Sequence, residues 1–292
     1  MPECARALTS GGAASLLGFM TSLTQAERDA AYNNGAAVPE VGEETQWRVA
    51  ASTAWRAAHP AYLDIPYAPA ERTKWDLFPA ADPAAPCFVF IHGGWWQFGA
   101  REENAIAARG LAAHGWSVAL PGYTLTPEAS LTRIVEEIGA ALDWFEAKRA
   151  SYRISGPVVL SGWSAGALLA ILGLAHPVVG AALAFSGAYE LGPIRDTYLN
   201  RKLNLTPTEI ETLSPLRLTP VAKPLSLACG GRELPALLND GRKLHAQRRA
   251  VDAVGRLIEP EGLNHFTIYR ELTEPDGVLV QEALRLAGAM AS

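Results

Sequence analysis

Short apolar, β-rich segments that alternate with helical ones predict an α/β fold: a mainly parallel, eight-stranded sheet with helices on both faces. Two observations carry this. From residue 87 onward strand-like and helix-like segments take turns, as parallel strands require, because each parallel pair needs a crossover connection. Ahead of that, Leu63–Tyr67 and Lys74–Phe78 are joined only by the Ala68-Pro69-Ala70-Glu71-Arg72 stretch, so this first pair is expected to be an antiparallel hairpin.

Taken in order, Thr24 and Glu27 fit a capping box that opens a helix. The segment from about 24 to 60, with Trp47 and Trp55, reads as helical and is expected to cover part of a site. After the hairpin come strands at Cys87–Ile91, Trp116–Leu120, Val158–Ser161, Ala181–Phe185, Leu225–Ala228 and Gly255–Ile258. Between and after them lie helical patterns at Asn104–His114, Ser130–Ala150, Ala165–Ala175, Pro235–Ala250 and Gly277–Ala289. In the second of these Ile134, Ile138, Ala141, Leu142 and Phe145 form one stripe, while Arg133, Glu136, Glu137 and Lys148 fall elsewhere, so it packs on a sheet. Residues 187–223 are long for a connection and carry Pro193, Pro207, Pro215 and Pro220; they are expected to form a small lid insertion above the strand ends. Residues 1–19 are expected to be a loose extension, with order starting near Met20 and a single domain over 20–292.

Composition narrows the function. Hydrophobic residues make up 49% and charged residues 19% of 292, an ordinary globular balance rather than a disordered one. The net charge of −5 and the absence of any Lys/Arg run longer than a pair argue against nucleic-acid and membrane-surface partners, which leaves a small-molecule substrate. A homodimer stays open. Ala13–Met20 is too interrupted for a signal peptide, and no apolar run approaches a membrane span. Cys4, Cys87 and Cys229 are odd in number and widely spaced, with no CxxC, so a reducing, cytoplasmic setting is expected. No two histidines have ligand spacing such as HxxxH, so neither a metal nor another cofactor is expected.

Chemistry concentrates in a few motifs. Gly162-Trp163-Ser164-Ala165-Gly166 lies directly after an apolar strand and directly before a helix. A serine on such a sharp turn needs near-absent neighbouring side chains, and it projects at a helix N-terminus that favours negative charge. Ser164 is therefore the candidate nucleophile. His92-Gly93-Gly94-Trp95-Trp96 follows another strand, and acyl transfer needs amides already aimed at a tetrahedral oxyanion. The amides of Gly93, Gly94, Trp95 and Ala165 are assigned to that oxyanion hole. His92 braces the turn.

A serine hydroxyl needs a base. Of the histidines beyond Ser164, His176 and His245 sit at a helix end and inside a helix, whereas His265 lies in the Gly262–Phe266 loop between the last strand and last helix, so it is the candidate base. The acid belongs after the Leu225–Ala228 strand. Glu233 is the first carboxylate there, Asp240 is the rival seven residues later, a turn into the helix that Pro235 opens, and Asp196 in the insertion is a third choice.

These motifs, together with Tyr32-Asn33-Asn34, Gly122–Glu128, Gly231-Arg232-Glu233 and Asn264-His265-Phe266, resemble the α/β-hydrolase fold and, within it, the arylformamidase (kynurenine formamidase) group allied to hormone-sensitive-lipase-like esterases. The resemblance spans roughly residues 30–290. It implies Ser164, Glu233 and His265 as a triad and N-formyl-L-kynurenine, or a related aryl formamide, as substrate in tryptophan catabolism. Trp95 stands where the lipase-like HGGG pattern has its third glycine, which favours the formamidase side, and Glu233 replaces the group's more frequent Asp. Trp95, Trp96, Phe98, Tyr123, Trp163 and Phe266 lie in or beside the motifs; Trp96, Tyr123, Trp163 and Phe266 are the expected substrate contacts, with two or three of the six touching an aniline ring. A carboxylesterase acting on short aryl or alkyl esters is the alternative, because a triad addresses the acyl centre and not the leaving group. A non-catalytic binding module is disfavoured, since all three triad positions are filled.

Overall fold

The structure, a computed structural model, describes residues 23–59 and 61–290. The expected loose extension over 1–19, the start of order near Met20 and Cys4 lie outside the described residues. Eight strands form one sheet: β1 (Tyr62–Pro66), β2 (Lys74–Phe78), β3 (Cys87–Ile91), β4 (Ser117–Pro121), β5 (Val158–Trp163), β6 (Val179–Phe185), β7 (Leu225–Ala228) and β8 (Leu257–Ile258). Their order is β1-β2-β4-β3-β5-β6-β7-β8. β2 pairs antiparallel with both β1 and β4, and every other pairing is parallel, so β2 alone runs against the rest.

Because side chains alternate across a strand, each central strand feeds two cores. In β3, Cys87, Val89 and Ile91 join one apolar cluster while Phe88 and Phe90 join the other. The first cluster packs under the helices Leu131–Lys148, Ala165–Gly173 and Pro235–Arg249. The second packs under Val278–Met290 and takes in Trp47, Ala51 and Trp55 of the helix Val41–Ala58. None of the described helices is long and apolar enough to cross a membrane.

Three expectations change in detail. The helix expected at Asn104–His114 is a 3-10 turn, Glu102–Ala107, followed by a short α-helix, Ala108–Ala112. The last strand shortens to Leu257–Ile258: Gly255 takes φ 155°, and a Cβ there would lie 1.8 Å from the Leu225 carbonyl oxygen. Glu137, placed off the buried stripe, is 3% exposed. Its carboxylate accepts from the Thr124 amide at 2.8 Å and the Thr124 hydroxyl at 3.0 Å, so a charge at the stripe's edge is buried to hold the loop after β4.

The helix Val41–Ala58 is tied to the sheet by charge as well as by apolar contact. Asp76 of β2, fully buried, accepts from Arg56 Nε at 2.9 Å, Arg101 Nε at 3.1 Å and the Asp64 amide at 3.1 Å. Arg101, itself 3% exposed, also pairs with Asp64 and with Glu102. Removing one member of such a cluster strands the others in a low dielectric. Asp76→Ala is therefore expected to lower unfolding free energy by about 3–5 kcal/mol in a urea titration; a loss below about 1 kcal/mol contradicts this reading.

Candidate active site

Ser164 sits between β5 and the helix Ala165–Gly173 with φ 56° and ψ −118°, a conformation that L-residues avoid. The flanking glycines are there for close approach. A Cβ on Gly162 would come within 2.0 Å of the Gly166 carbonyl oxygen, and one on Gly166 within 2.2 Å of the Ile91 carbonyl oxygen. The Ser164 amide is spent on the Phe185 carbonyl at 2.9 Å, which anchors the turn to β6. The hydroxyl is thereby lifted off the sheet at the N-terminus of a helix.

His265, 101 residues later, brings Nε2 to 3.1 Å from Ser164 Oγ, and its Nδ1 lies 2.8 Å from Glu233 Oε2. A carboxylate only accepts, so Nδ1 carries the proton and Nε2 presents its lone pair to the serine. All three side chains are buried: Ser164, Glu233 and His265 are 5%, 6% and 4% exposed. The other carboxylate oxygen of Glu233 accepts from Ser186 Oγ at 2.6 Å and from the Gly230 amide at 2.7 Å. The loops that carry Glu233 and His265 are laced together. The Arg232 amide donates to Leu263 O at 2.9 Å, the Gly231 amide to Pro260 O at 2.9 Å, and a Cβ on Gly230 would meet Leu263 O at 2.5 Å.

Asp240, the rival acid, is elsewhere. Its Oδ2 accepts from the Tyr189 amide at 2.8 Å and the Glu190 amide at 3.0 Å, so it holds the start of the 187–223 stretch and does not touch His265. Burial pushes its carboxyl up to about 7 even though those two amides favour the charged form. Asp196 is on the surface beside Arg195.

At the end of β3 the chain turns through Gly94 (φ 117°), Trp95 (φ 49°) and Trp96 (φ 57°), three successive residues in left-handed conformations. Glycine alone does not make this turn; two tryptophans share it. A Cβ on Gly93 would lie 2.8 Å from Trp163 O and 3.0 Å from Ser164 Cβ, so only bare backbone fits beside the serine. The amides of Gly93, Gly94, Trp95 and Ala165 donate to no backbone carbonyl among the described residues. His92 Nδ1 lies 2.8 Å from Gly93 O, and its ring stacks on Tyr123 with centroids 4.3 Å apart. Burial drives its imidazole down to about 3, so it stays neutral and supports the turn by its donor.

The aromatic residues separate into walls and props. Trp96 and Tyr123 are wholly buried, and the Tyr123 hydroxyl is used on His92 O at 3.0 Å. Trp163 Nε1 donates to His265 O at 3.0 Å, which fixes the backbone of that loop. Arg48 lies 5.4 Å above the Trp163 ring, and with Trp47, Phe266 and Tyr269 these residues line a small gap. Phe266 is half-buried with its ring edge-on to Trp163, whereas Phe98 points to solvent.

Residues far from these motifs also reach the site. Tyr32 packs edge-on to Trp95, and Asn34 Nδ2 lies 3.3 Å from His265 Nε2. The N-terminal segment is joined in turn to the 187–223 stretch: Asp29 accepts from the Tyr198 amide at 2.7 Å, and Gln25 donates to Asp196 O at 2.9 Å. Ser186 and Asn34 were not selected as functional residues from sequence. The positive φ of Ser186, 57°, follows from no local pattern, and Asn34 was visible only as part of Tyr32-Asn33-Asn34.

Residues 76–178 match the BD-FAE family model. The chain is 28% identical over 250 residues to the kynurenine formamidase of Danio rerio, covering 80% of this chain and 84% of that one. Among solved structures, a putative thioesterase from Silicibacter sp. TM1040 is 29% identical with a TM-score of 0.78, covering 88% of this chain and 98% of the other. A thermophilic carboxylesterase from a metagenomic library has a TM-score of 0.67 at 18% identity, covering 85% and 97%.

Two substitutions separate the carboxylates. Glu233→Gln is expected to cut kcat by about 10³- to 10⁴-fold, by analogy with removal of a triad acid, while Asp240→Asn, which keeps an acceptor for the 189–190 amides, stays within about threefold; the reverse order in a steady-state assay contradicts the assignment. Asp240 also sets a stability slope. Its folded-state pKa lies above the unfolded one, so the folded protein binds more protons between about pH 4 and 7, and the stability its neutral form contributes is lost as pH rises through that window. Urea midpoints measured from pH 4 to 8 are expected to fall more for the natural protein than for Asp240→Asn.

Proposed function

We propose that the protein, an α/β-hydrolase by fold, is an arylformamidase that hydrolyses N-formyl-L-kynurenine or a closely related aryl formamide through Ser164, His265 and Glu233. The observation that carries the chemistry is the chain of contacts from Ser164 Oγ to His265 Nε2, 3.1 Å, and from His265 Nδ1 to Glu233 Oε2, 2.8 Å, beside uncommitted amides at 93–95 and 165. The substrate class rests on likeness to kynurenine formamidases and on the aromatic walls around Ser164.

In this reading Ser164 Oγ attacks the formyl carbon while its proton passes to His265 Nε2. The formyl oxygen becomes an oxyanion and takes hydrogen bonds from the Gly93, Gly94, Trp95 and Ala165 amides; each well-aimed donor is worth about 3 kcal/mol of barrier. Glu233, held by Ser186 and Gly230, steadies the imidazolium and keeps its Nε2–H facing the reacting atoms. Collapse breaks the carbon–nitrogen bond, the aniline nitrogen takes the proton from Nε2, and formyl-Ser164 remains. Water then attacks that ester and gives its proton to Nε2. The proton returns to Oγ as formate leaves.

The esterase alternative uses the same residues and is favoured by the esterase neighbours of the fold. The two readings part at the leaving group. We place the reaction in a reducing compartment such as the cytoplasm, since Cys87 and Cys229 are both free and buried, and in the breakdown of tryptophan because the proposed substrate is a kynurenine.

The purified protein is expected to show a higher kcat/KM on N-formylkynurenine than on p-nitrophenyl acetate. Ester hydrolysis without detectable deformylation contradicts the formamidase reading and leaves the esterase one. Ser164→Ala is expected to lose about 10⁴- to 10⁶-fold of kcat on either substrate with an unchanged circular dichroism spectrum.

A further inference from the structure

Asn34 is a buried polar side chain in contact with His265 whose role the mechanism leaves open. It opens the short helix Asn34–Ala37, whose start is fixed by the Asn33 side chain accepting from the Ala36 amide at 3.1 Å. Asn34 is 4% exposed, and its Nδ2 points at His265 Nε2 from 3.3 Å. Its Oδ1 is buried and has no hydrogen-bond partner among the described residues. A buried carboxamide oxygen left unpaired is costly and rarely retained without a use.

The arrangement around Nε2 indicates that use. With Nδ1 protonated toward Glu233, Nε2 has a single lone pair, and two donors face it: Ser164 Oγ at 3.1 Å and Asn34 Nδ2 at 3.3 Å. In acyl transfer the leaving atom must come within hydrogen-bond reach of Nε2 to collect its proton. Asn34 Nδ2 therefore already sits at the rim of the space which that atom will enter, and Oδ1 lies one carbon away on the same planar group. An aryl formamide differs from the matching aryl ester at this atom alone: its nitrogen carries a hydrogen, and the ester oxygen carries none.

Resting on the arylformamidase reading, we infer that Asn34 is a specificity-determining residue, whose Oδ1 accepts the N–H of the scissile formamide and so selects formamides over esters. As the tetrahedral intermediate forms, the nitrogen becomes pyramidal and its lone pair must face the proton on Nε2. An N–H pinned by Oδ1 holds it in that orientation. An ester offers Oδ1 nothing and leaves it unpaired, which is how a site with a buried acceptor discriminates against a substrate lacking the donor.

The test uses formanilide and phenyl formate, which share the formyl group and the ring. The ratio of their kcat/KM values, formanilide over phenyl formate, is expected to fall by about ten- to hundredfold in Asn34→Ala. An unchanged or increased ratio overturns the inference. Phenyl formate turnover by the same preparation, with its circular dichroism spectrum, reports folding. If the variant does not fold, N-methylformanilide decides on the natural protein: normalised to hydroxide hydrolysis, it is expected to react at least tenfold more slowly than formanilide, and equal normalised rates overturn the inference. Deformylation by the natural protein with an unmoved ratio removes only the role of Asn34. Hydrolysis of phenyl formate with none of formanilide or N-formylkynurenine removes the formamidase reading and this inference together.

Discussion

A serine forced to φ 56° between a strand and a helix is the constraint on which the rest of the structure depends. Such a conformation costs on the order of 1–3 kcal/mol and persists only where its surroundings over-determine it. Here they do so through backbone contact. Gly162 lies against Gly166, Gly166 against the Ile91 carbonyl, and Gly93 against Trp163 and Ser164, while the Ser164 amide is tied to Phe185. Three chain segments, 91–93, 162–166 and the end of β6 at Phe185, meet at one residue with no side chain between them. The same closeness places the bare backbone of Gly93 beside Ser164, so the strained turn and the turn after β3 are one packing solution.

The parallel sheet does the remaining positioning. Ser164, Glu233 and His265 follow β5, β7 and β8, whose carboxyl ends lie on one side because those strands run the same way. Glu233 is then fixed by Ser186 from the end of β6 and by its own loop's Gly230, so its geometry does not depend on the histidine. Asp240 shows what else a carboxylate nearby is used for. It cross-links the 189–190 backbone from inside the helix Pro235–Arg249, and that placement, in the second turn of the helix that follows Glu233, is what keeps it from His265.

Much of this was legible in the sequence where a rule is local. Gly162–Gly166 between an apolar run and a helical run specifies the turn, and the apolar stripe of 134–145 specifies which face is covered. The rest was hidden where long-range contact overrides local pattern. Glu137 reads as an exposed helix charge, but the loop after β4 supplies two donors that bury it. Trp95 and Trp96 read as residues following a glycine turn, whereas they adopt left-handed backbone themselves and are held there by burial. Ser186 lies in no motif, and Asn34 only within Tyr32-Asn33-Asn34, which gives it no role; their importance comes from where β6 ends and from where the N-terminal segment crosses the site. The 24–60 segment was expected to cover part of the site, and it is Asn34 within it that reaches His265 Nε2, a contact no local pattern specifies.

The central claim is that Ser164 is made nucleophilic by the imidazole beside it. Its most direct test is covalent labelling with a small fluorophosphonate, read by intact mass and peptide mapping, on the natural protein and on His265→Ala. The account predicts one adduct, on Ser164, formed rapidly in the natural protein and slowed by at least a hundredfold in the variant. Labelling at another residue, or labelling of Ser164 at the same rate without the imidazole, would contradict it.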